Sequence, residues 1–254
     1  MTTVQNVVDA MGTLAPWSLA LSWDNSGLQA GDPTAPVARA LVALDATKPV
    51  IQEAKERGAQ LVVTHHPLLF HPCSSLTPDH PAFWAIREGI AVVSAHTNYD
   101  LVPGGVSHQL AAALGMTGVE PLPSSPGEEP VCGVWGELPQ ELAPGQLAQA
   151  LTRILGVTPR RNPLERPIRR LGLCGGAGAD GLVAAQAAGC QAFLTGEVKH
   201  HQFLQAQAMG MVLLDGSHYA TEALALPALA QALHRALPEL EVLLAGSYQG
   251  EILG

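Results

Sequence analysis

The stretch Gln60-Leu-Val-Val-Thr-His-His-Pro67 is an apolar run that stops abruptly at two histidines. The segments Gly89 to Ala95 and Met211 to Leu214 have the same form, and His96 and His218 follow them. Short, fully apolar runs of this kind predict buried strands of a parallel sheet. Ligands of open α/β sheets bind just beyond the carboxyl ends of the strands, so these histidines mark a predicted site.

Strands alternate with helices along the whole chain, an order that predicts a largely parallel sheet covered by helices. The predicted fold class is α/β, with two related, intertwined lobes, mainly parallel sheets and a metal site in the cleft between the lobes. We expect an N-terminal lobe at residues 1–119, a proline-rich linker at 120–130 and a C-terminal lobe at 131–254. The last helix and strand are expected to pack back on the first lobe.

The two predicted lobes share a repeated pattern. Each lobe has a predicted strand, a helix and a second strand. In the first lobe the strands are Arg39-Ala-Leu-Val-Ala-Leu and Gly58-Ala-Gln-Leu-Val-Val-Thr64, and in the second they are Arg169-Arg-Leu-Gly-Leu-Cys and Gly189-Cys-Gln-Ala-Phe-Leu-Thr195. Strand-helix units are simple enough for chance similarity to arise. The shared Gly-x-Gln opening of the second strand favours duplication over chance.

The composition argues against several classes of function. The 254 residues are 47% hydrophobic, so the chain can bury a large core as one large or two small domains. A formal charge of -9 with only 13 lysines and arginines argues against a nucleic-acid groove, which needs clustered positive charge. No apolar run approaches the roughly 20 residues that cross a bilayer, and residues 1–10 lack the features of a signal peptide. We therefore expect a cytoplasmic protein that acts on neither membranes nor nucleic acids.

Five residues at the ends of predicted strands and helices have side chains typical of a metal site. His65 and His66 are consecutive, so they can share a site only if the strand ends there, which the following proline favours. His218 and Glu222 are spaced i, i+4 at a helix start, so they lie on one face. With Asp100, the set exceeds the three protein ligands of a typical catalytic zinc site. It predicts two divalent ions of zinc, iron or manganese, about 3.5–4 Å apart.

Three further residues are candidates for catalysis and substrate binding. His96 is assigned as a proton shuttle in preference to a metal ligand. Lys199 and His201 follow the predicted strand that ends near Glu197, and they are candidates for substrate binding, Lys199 for a triphosphate. A solvated helix face explains these last two residues equally well.

One motif suggests a different chemistry. Gly176-Ala-Gly-Ala-Asp-Gly181 fits the pattern G-x-G-x-x-G, follows a predicted strand and precedes a predicted helix, as dinucleotide-binding loops do. Glu197 stands about 20 residues further on, where such folds place the acid that binds the ribose. An NAD-dependent oxidoreductase would leave the metal-type ligands unexplained, so this hypothesis ranks third. The loop could instead close the cleft or hold a phosphate on its backbone amides.

Motifs in order along the chain resemble those of a known family. The motifs are Trp23-Asp-Asn-Ser-Gly-Leu-Gln-Ala-Gly31, Thr64-His-His-Pro-Leu-Leu-Phe70, His96-Thr-Asn-Tyr-Asp100, Thr195-Gly-Glu197 and Gly216-Ser-His-Tyr-Ala-Thr-Glu222. Together they resemble the motifs of the dinuclear metal-centre family of GTP cyclohydrolase 1 type 2 homologues. The resemblance implies metal ligands at His65, His66, Asp100, His218 and Glu222. It also implies a toroidal homohexamer whose sites face an internal cavity. Residues 120–130 are too few to hold an inserted domain, so the chain resembles the short form of the family.

The resemblance also implies a reaction. We expect a dinuclear metal-dependent hydrolase with GTP cyclohydrolase activity as the leading reaction, in which a metal-bound hydroxide attacks C8 of guanine and formate is released. The substrate would then be a small molecule, a nucleotide. The second hypothesis is a non-catalytic metal-binding or partner-binding regulatory protein.

Overall fold

The computed structural model describes residues 1–246. The chain divides into two units, and five strands form the sheet of the first unit. They are Gly27–Ala30 (β1), Arg39–Ala43 (β2), Leu61–Thr64 (β3), Ala91–Ser94 (β4) and Glu241–Leu244 (β11). In the order β1-β4-β3-β2-β11, β1 is antiparallel to β4 and the remaining pairs are parallel. Every residue of β3 and β4 is buried, which agrees with the continuous apolar runs in the sequence.

The helices of this unit are Val4–Leu14 (α1), Lys48–Glu56 (α2), Pro81–Glu88 (α3), Thr97–Leu101 (α4) and Leu226–Ala236 (α10). Helix α1 buries Val4, Val7 and Met11 at helical spacing, and Thr3 caps it in a capping box with Asn6. The unit joins the first 102 residues to the segment that begins with α10. The last helix and strand therefore complete the fold of the N-terminal part of the chain.

Six strands form the sheet of the second unit, which spans Pro103–Ala225. The strands are Thr117–Pro121 (β5), Val134–Leu142 (β6), Arg160–Arg161 (β7), Ile168–Leu173 (β8), Ala192–Thr195 (β9) and Val212–Asp215 (β10). The helices are Val106–Ala113 (α5), Pro144–Leu155 (α6), Leu182–Ala187 (α7), His200–Ala208 (α8) and His218–Ala223 (α9). The strand order is β5-β6-β8-β9-β10-β7.

The second sheet differs from the mainly parallel arrangement expected from the sequence. The pairs β8–β9 and β9–β10 are parallel, whereas β5–β6, β6–β8 and β7–β10 are antiparallel. Strands β5 and β6 follow one another without an intervening helix, and such neighbours pair antiparallel. The division between the units also falls at Val102 and Pro103, earlier than the linker expected at 120–130, because α5 and β5 pack with the second sheet.

Each unit has its own apolar core. The core of the first includes Leu41, Val50, Ile51, Val62 and Val92. The core of the second includes Leu110, Leu138, Leu147, Leu151, Ile168, Leu171 and Leu194. Among residues 1–246, no helix combines the length and the apolar character needed to cross a bilayer.

Gln60 joins two strands of the first sheet through its side-chain amide. Its Oε1 accepts hydrogen bonds from the backbone N–H groups of Ala38 and Arg39, at 2.8 and 3.1 Å. Its Nε2 donates to the carbonyl oxygen of Gly58 at 2.7 Å. One glutamine thus fixes the turn before β3 against the start of β2.

Gln191 makes the same contacts in the second sheet. Its Oε1 accepts from the backbone N–H groups of Arg169 and Arg170 at 3.1 and 2.7 Å, and its Nε2 donates to Gly189 at 3.1 Å. The Gly-x-Gln opening found in both halves of the sequence therefore has one structural role. This equivalence supports duplication of a strand-helix-strand unit.

Candidate metal centre

The end of β3 brings two consecutive histidines close together. The strand stops at Thr64, whose Oγ1 donates to the carbonyl oxygen of His66 at 2.8 Å. The backbone N–H of His66 donates to Leu44 at 2.9 Å. Because the chain turns here, the alternation of side chains along a strand no longer applies. The ring centroids of His65 and His66 lie 5.1 Å apart.

Each of the paired histidines has its Nδ1 against an oxygen atom. Nδ1 of His65 lies 3.0 Å from the carbonyl oxygen of Ala95, and Nδ1 of His66 lies 2.7 Å from Oδ1 of Asp45. A neutral imidazole that donates from Nδ1 presents the lone pair of Nε2. Nε2 of His65 lies 3.7 Å from Oδ1 of Asp100, whose side chain is largely buried.

His96 has the same arrangement with a carboxylate that is shielded from solvent. Its Nδ1 lies 2.8 Å from Oδ1 of Asp24, while Oδ2 of Asp24 accepts from the backbone N–H and Oγ1 of Thr97 at 3.1 and 2.6 Å. Burial raises the pKa of the Asp24 carboxyl, but the hydrogen bonds from His96 and Thr97 outweigh burial and hold the pKa well below its ordinary value. The carboxylate therefore stays negatively charged and fixes one edge of the imidazole.

The three imidazoles form one cluster within the first unit. His65, His66 and His96 each offer a ring nitrogen within 4.8 Å of the others. In all three, Nδ1 faces an oxygen acceptor, which is how metal-binding histidines are usually oriented. Imidazole nitrogens beside a carboxylate are ligands that zinc and iron accept. The donor set therefore fits a divalent transition metal, and it includes the histidine that the sequence assigns to proton transfer.

In the second unit, the start of α9 presents His218 and Glu222. Nε2 of His218 lies 3.2 Å from Oε2 of Glu222, as expected for residues one helical turn apart. Nδ1 of His218 lies 3.3 Å from Oε2 of Glu197, so this imidazole is also held by an oxygen at Nδ1. Glu222 is only 4% exposed, and a buried carboxylate needs a positive partner or hydrogen bonds to offset its desolvation.

Ser217 gives the turn before α9 an unusual backbone. Its φ of 72° is the only positive value of a non-glycine residue in the described part of the chain. Its N–H donates to Oδ1 of Asp215 at 3.2 Å, and its side chain caps the N–H of Ala220. Such conformations cost about 1–3 kcal/mol and tend to occur at functional sites. Here the strained turn places His218 at the first position of the helix.

Two glycines lie against this helix start. A Cβ atom at Gly176 would overlap Oε1 of Glu222, and a Cβ atom at Gly196 would lie 2.6 Å from Cα of His218. Any side chain at either position would displace one of the two candidate ligands. Both glycines are therefore required by the close approach of α9.

The glycine loop that fits a dinucleotide motif is bound to the protein itself. The backbone N–H of Gly176 donates to Oγ1 of Thr221 at 3.1 Å, and that of Gly178 donates to Oγ1 of Thr195 at 2.9 Å. A pyrophosphate would need these donors, and they are already used. Glu197, the residue in the position of a ribose acid, faces His218. The structure thus gives the motif a role in positioning α9.

Two predicted substrate-binding residues lie at the start of α8. Lys199 is its N-cap residue and His201 lies in its first turn, and both are exposed. Exposure is compatible with either a substrate site or a solvated helix face, so their role stays a prediction.

Three carboxylates hold Nδ1 of the histidines, Asp24, Asp45 and Glu197. The sequence predicts no role for Asp24 or Asp45, and it suggests Glu197 only as a ribose-binding acid. Two of these carboxylates could have been found by the same rule as the histidines, because they also follow the carboxyl end of a strand. Asp45 stands two residues after β2 and Glu197 two residues after β9, at the carboxyl ends of their strands.

Comparisons with known proteins identify the family of the chain. The family model described as Duf34/NIF3 (NGG1p interacting factor 3) matches residues 2–248. A Clostridium perfringens protein named GTP cyclohydrolase 1 type 2 homolog is 33% identical over 226 residues, which cover 86% of each chain. A Streptomyces coelicolor protein of the same name is 34% identical over 235 residues, 87% of this chain and 82% of that one. The crystal structure of a Bacillus cereus protein related to NIF3 has the same fold, with a TM-score of 0.90 at 21% identity over 97% of each chain. The chain belongs to the Duf34/NIF3 family.

Proposed function

We propose that this protein is a metal-dependent hydrolase whose leading reaction is opening of the guanine ring of GTP with release of formate. The observation that carries this proposal is the orientation of His65, His66 and His218, each with Nδ1 within 3.3 Å of an oxygen atom. That orientation leaves Nε2 of each ring available to a metal ion. The name shared by the Clostridium and Streptomyces relatives supplies the choice of GTP.

The proposed ligands are those that the family resemblance implies, His65, His66, Asp100, His218 and Glu222. Each unit contributes an imidazole and a carboxylate close together, at 3.7 Å in the first and 3.2 Å in the second. We propose that the five residues hold two divalent ions, with zinc, iron and manganese as the candidates. Such ions, when bound, act as Lewis acids and lower the pKa of water toward ~7.

His96 is the proposed proton carrier. Asp24 holds its Nδ1, so Nε2 is the atom that can accept a proton from water and release it to the leaving nitrogen of the ring. The negative Asp24 stabilises the imidazolium that forms, as an orienting carboxylate does in hydrolases. Lys199 and His201 are proposed to bind the phosphates of the substrate.

Metal analysis together with a turnover assay tests this proposal. The protein would be purified without oxygen, its metal content measured, and formate release from GTP followed. We expect about two ions per chain and formate release that chelation abolishes and metal restores. His96→Gln should keep the metal and lose most turnover. Absence of metal from the untreated protein would contradict the proposal.

A second candidate is a non-catalytic metal-binding or partner-binding regulatory protein. The family description, which names an interacting factor, favours this candidate. This candidate function predicts full metal content without turnover of any nucleotide.

We also propose the cytoplasmic homohexamer that the family resemblance implies. Light scattering at micromolar concentration checks the assembly, and a monomer would contradict it.

A further inference from the structure

Trp23 and Phe70 form an exposed aromatic pair. They are 52% and 43% exposed, and all other phenylalanine, tyrosine and tryptophan residues within 1–246 are less exposed. Their ring centroids lie 5.9 Å apart with the planes inclined at 52°. Aromatic surface left in water forgoes the free energy of burial, so two such rings in contact indicate a surface that binds something.

The aromatic pair borders the histidine cluster. The ring of His96 lies 6.0 Å from Trp23 and 5.9 Å from Phe70, and it meets both rings edge to face. The same imidazole lies 5.2 Å from His65 and 5.6 Å from His66. A ligand that covers the two aromatic rings would therefore lie next to the candidate metal-binding nitrogens.

Hydrogen bonds hold the two loops that carry the aromatic pair. Nδ2 of Asn25 donates to the carbonyl oxygen of Leu69 at 2.7 Å, and the N–H of Leu69 donates to Oε1 of Gln29 at 3.2 Å. Nε2 of Gln29 donates back to Asn25 at 2.6 Å. These contacts adjoin the aromatic pair in sequence, so they fix the loops that carry the two rings before a ligand binds. A surface organised in advance loses less entropy on binding.

We infer that Trp23 and Phe70 are a stacking surface for the flat heteroaromatic ring of a small-molecule ligand, a purine nucleotide. Because the two planes are inclined at 52°, a flat ring can stack face to face on only one of them. We expect it to stack on the larger indole of Trp23 and to meet Phe70 edge to face, with its polar edge toward the neighbouring imidazoles. The choice of a purine rests on the proposed function.

Binding of guanosine 5′-monophosphate to the metal-loaded protein tests the inference. Calorimetry on the wild type should give saturable binding, and ribose 5-phosphate, which lacks the ring, should bind far more weakly. Trp23→Leu should weaken binding roughly 5- to 100-fold, the loss expected for one base-stacking ring, and Phe70→Leu roughly 2- to 10-fold, the loss expected for one edge-to-face contact. Trp23→Phe should retain most of the affinity. Ile86→Ala, which removes another exposed apolar side chain of the first unit, is the matched control.

The outcomes separate this inference from the proposed function. Unchanged affinity in both leucine variants, or no saturable binding to the wild type at millimolar nucleotide, would overturn it. A change of oligomeric state in both variants would overturn it in favour of a contact between copies of the chain. Metal content should be the same in all variants. If nucleotide binding depends on Trp23 but GTP releases no formate, the result would support the stacking surface and contradict the proposed hydrolase activity.

Discussion

Nδ1 of His96 lies 2.8 Å from Oδ1 of Asp24, although 72 residues separate the two in the sequence. The other oxygen of the same carboxylate accepts two hydrogen bonds from Thr97, the first residue of α4. One carboxylate thus fixes the imidazole and the start of the helix that carries Asp100. The histidine cluster depends on a residue from a distant part of the chain.

Asp24→Asn should destabilise the protein by roughly 2–4 kcal/mol, because an amide removes the charge and places N–H groups opposite donors. Urea unfolding of the metal-free protein measures this loss. Asp32→Asn is the control, since Asp32 is exposed and its bonds to the backbone and hydroxyl of Thr34 can be made by an amide oxygen. A loss below about 0.5 kcal/mol in Asp24→Asn, typical of neutral surface changes, would contradict the assignment.

Metal content should respond differently to loss of Glu222 and of His65. If Glu222 bridges two ions, Glu222→Ala weakens both and leaves the cations to repel each other, so metal should fall from about two per chain toward zero. His65→Ala removes one ligand from one ion and should leave roughly one. Elemental analysis of both variants at equal protein concentration gives the comparison. Should Asp100→Ala empty the site while Glu222→Ala leaves it full, Asp100 is the bridge.

Substitutions at Ser217 should separate backbone strain from capping. Ser217→Ala loses the cap on Ala220 and keeps the positive φ, so it should destabilise by about 1 kcal/mol. Ser217→Gly also loses the side chain, but it relieves the backbone strain of about 1–3 kcal/mol. Thermal or urea unfolding should therefore find the glycine variant more stable than the alanine variant. The reverse order would show that the turn is not strained.

His108 should make stability depend on pH. Burial lowers its pKa from 6.5, and its Nδ1 has no hydrogen-bond partner in the part of the chain that the structure describes. The unfolded chain therefore binds more protons as pH falls below about 6.5. The stability due to neutral His108 is complete above that pH and is lost as pH falls toward the lowered pKa.

In His108→Gln this dependence should disappear. The free energy of unfolding of the metal-free variant should fall less than that of the wild type between about pH 7 and about pH 5. Urea titrations at several pH values across that range give the slopes. Parallel curves for the two proteins would mean that His108 titrates alike in the folded and unfolded chains.

The strand that precedes the paired histidines could be predicted because a continuous apolar run is a local feature of the sequence. A run such as Leu61–Thr64 is recognisable by its apolar residues, and the rule for strand ends then locates the candidate ligands. The helix Thr97–Leu101 was not predicted, since its first turn depends on the distant Asp24. Strand Gly27–Ala30 was also missed, because its turn-forming residues pair with β4 only in the folded unit.

Two further differences near α9 have separate causes, one local and one long-range. The sequence pattern predicts one helix from Tyr219 to Ala236, and the structure has two, His218–Ala223 and Leu226–Ala236. Pro227 has no N–H to continue the first helix, which favours a break just before it. The reason for the glycines beside α9 lies in packing against Glu222, which no local pattern encodes.

The parallel pairing of β11 with β2 has a consequence for the order in which the chain is completed during synthesis. Glu241 pairs with Arg39, so β2 keeps an open edge until residues 241–244 have been made. All strands of the second sheet lie between residues 117 and 215, and they can pair while the last strand is still untranslated. A nascent chain that stops short of residue 241 would therefore carry a completed second sheet and a first sheet still exposed at β2.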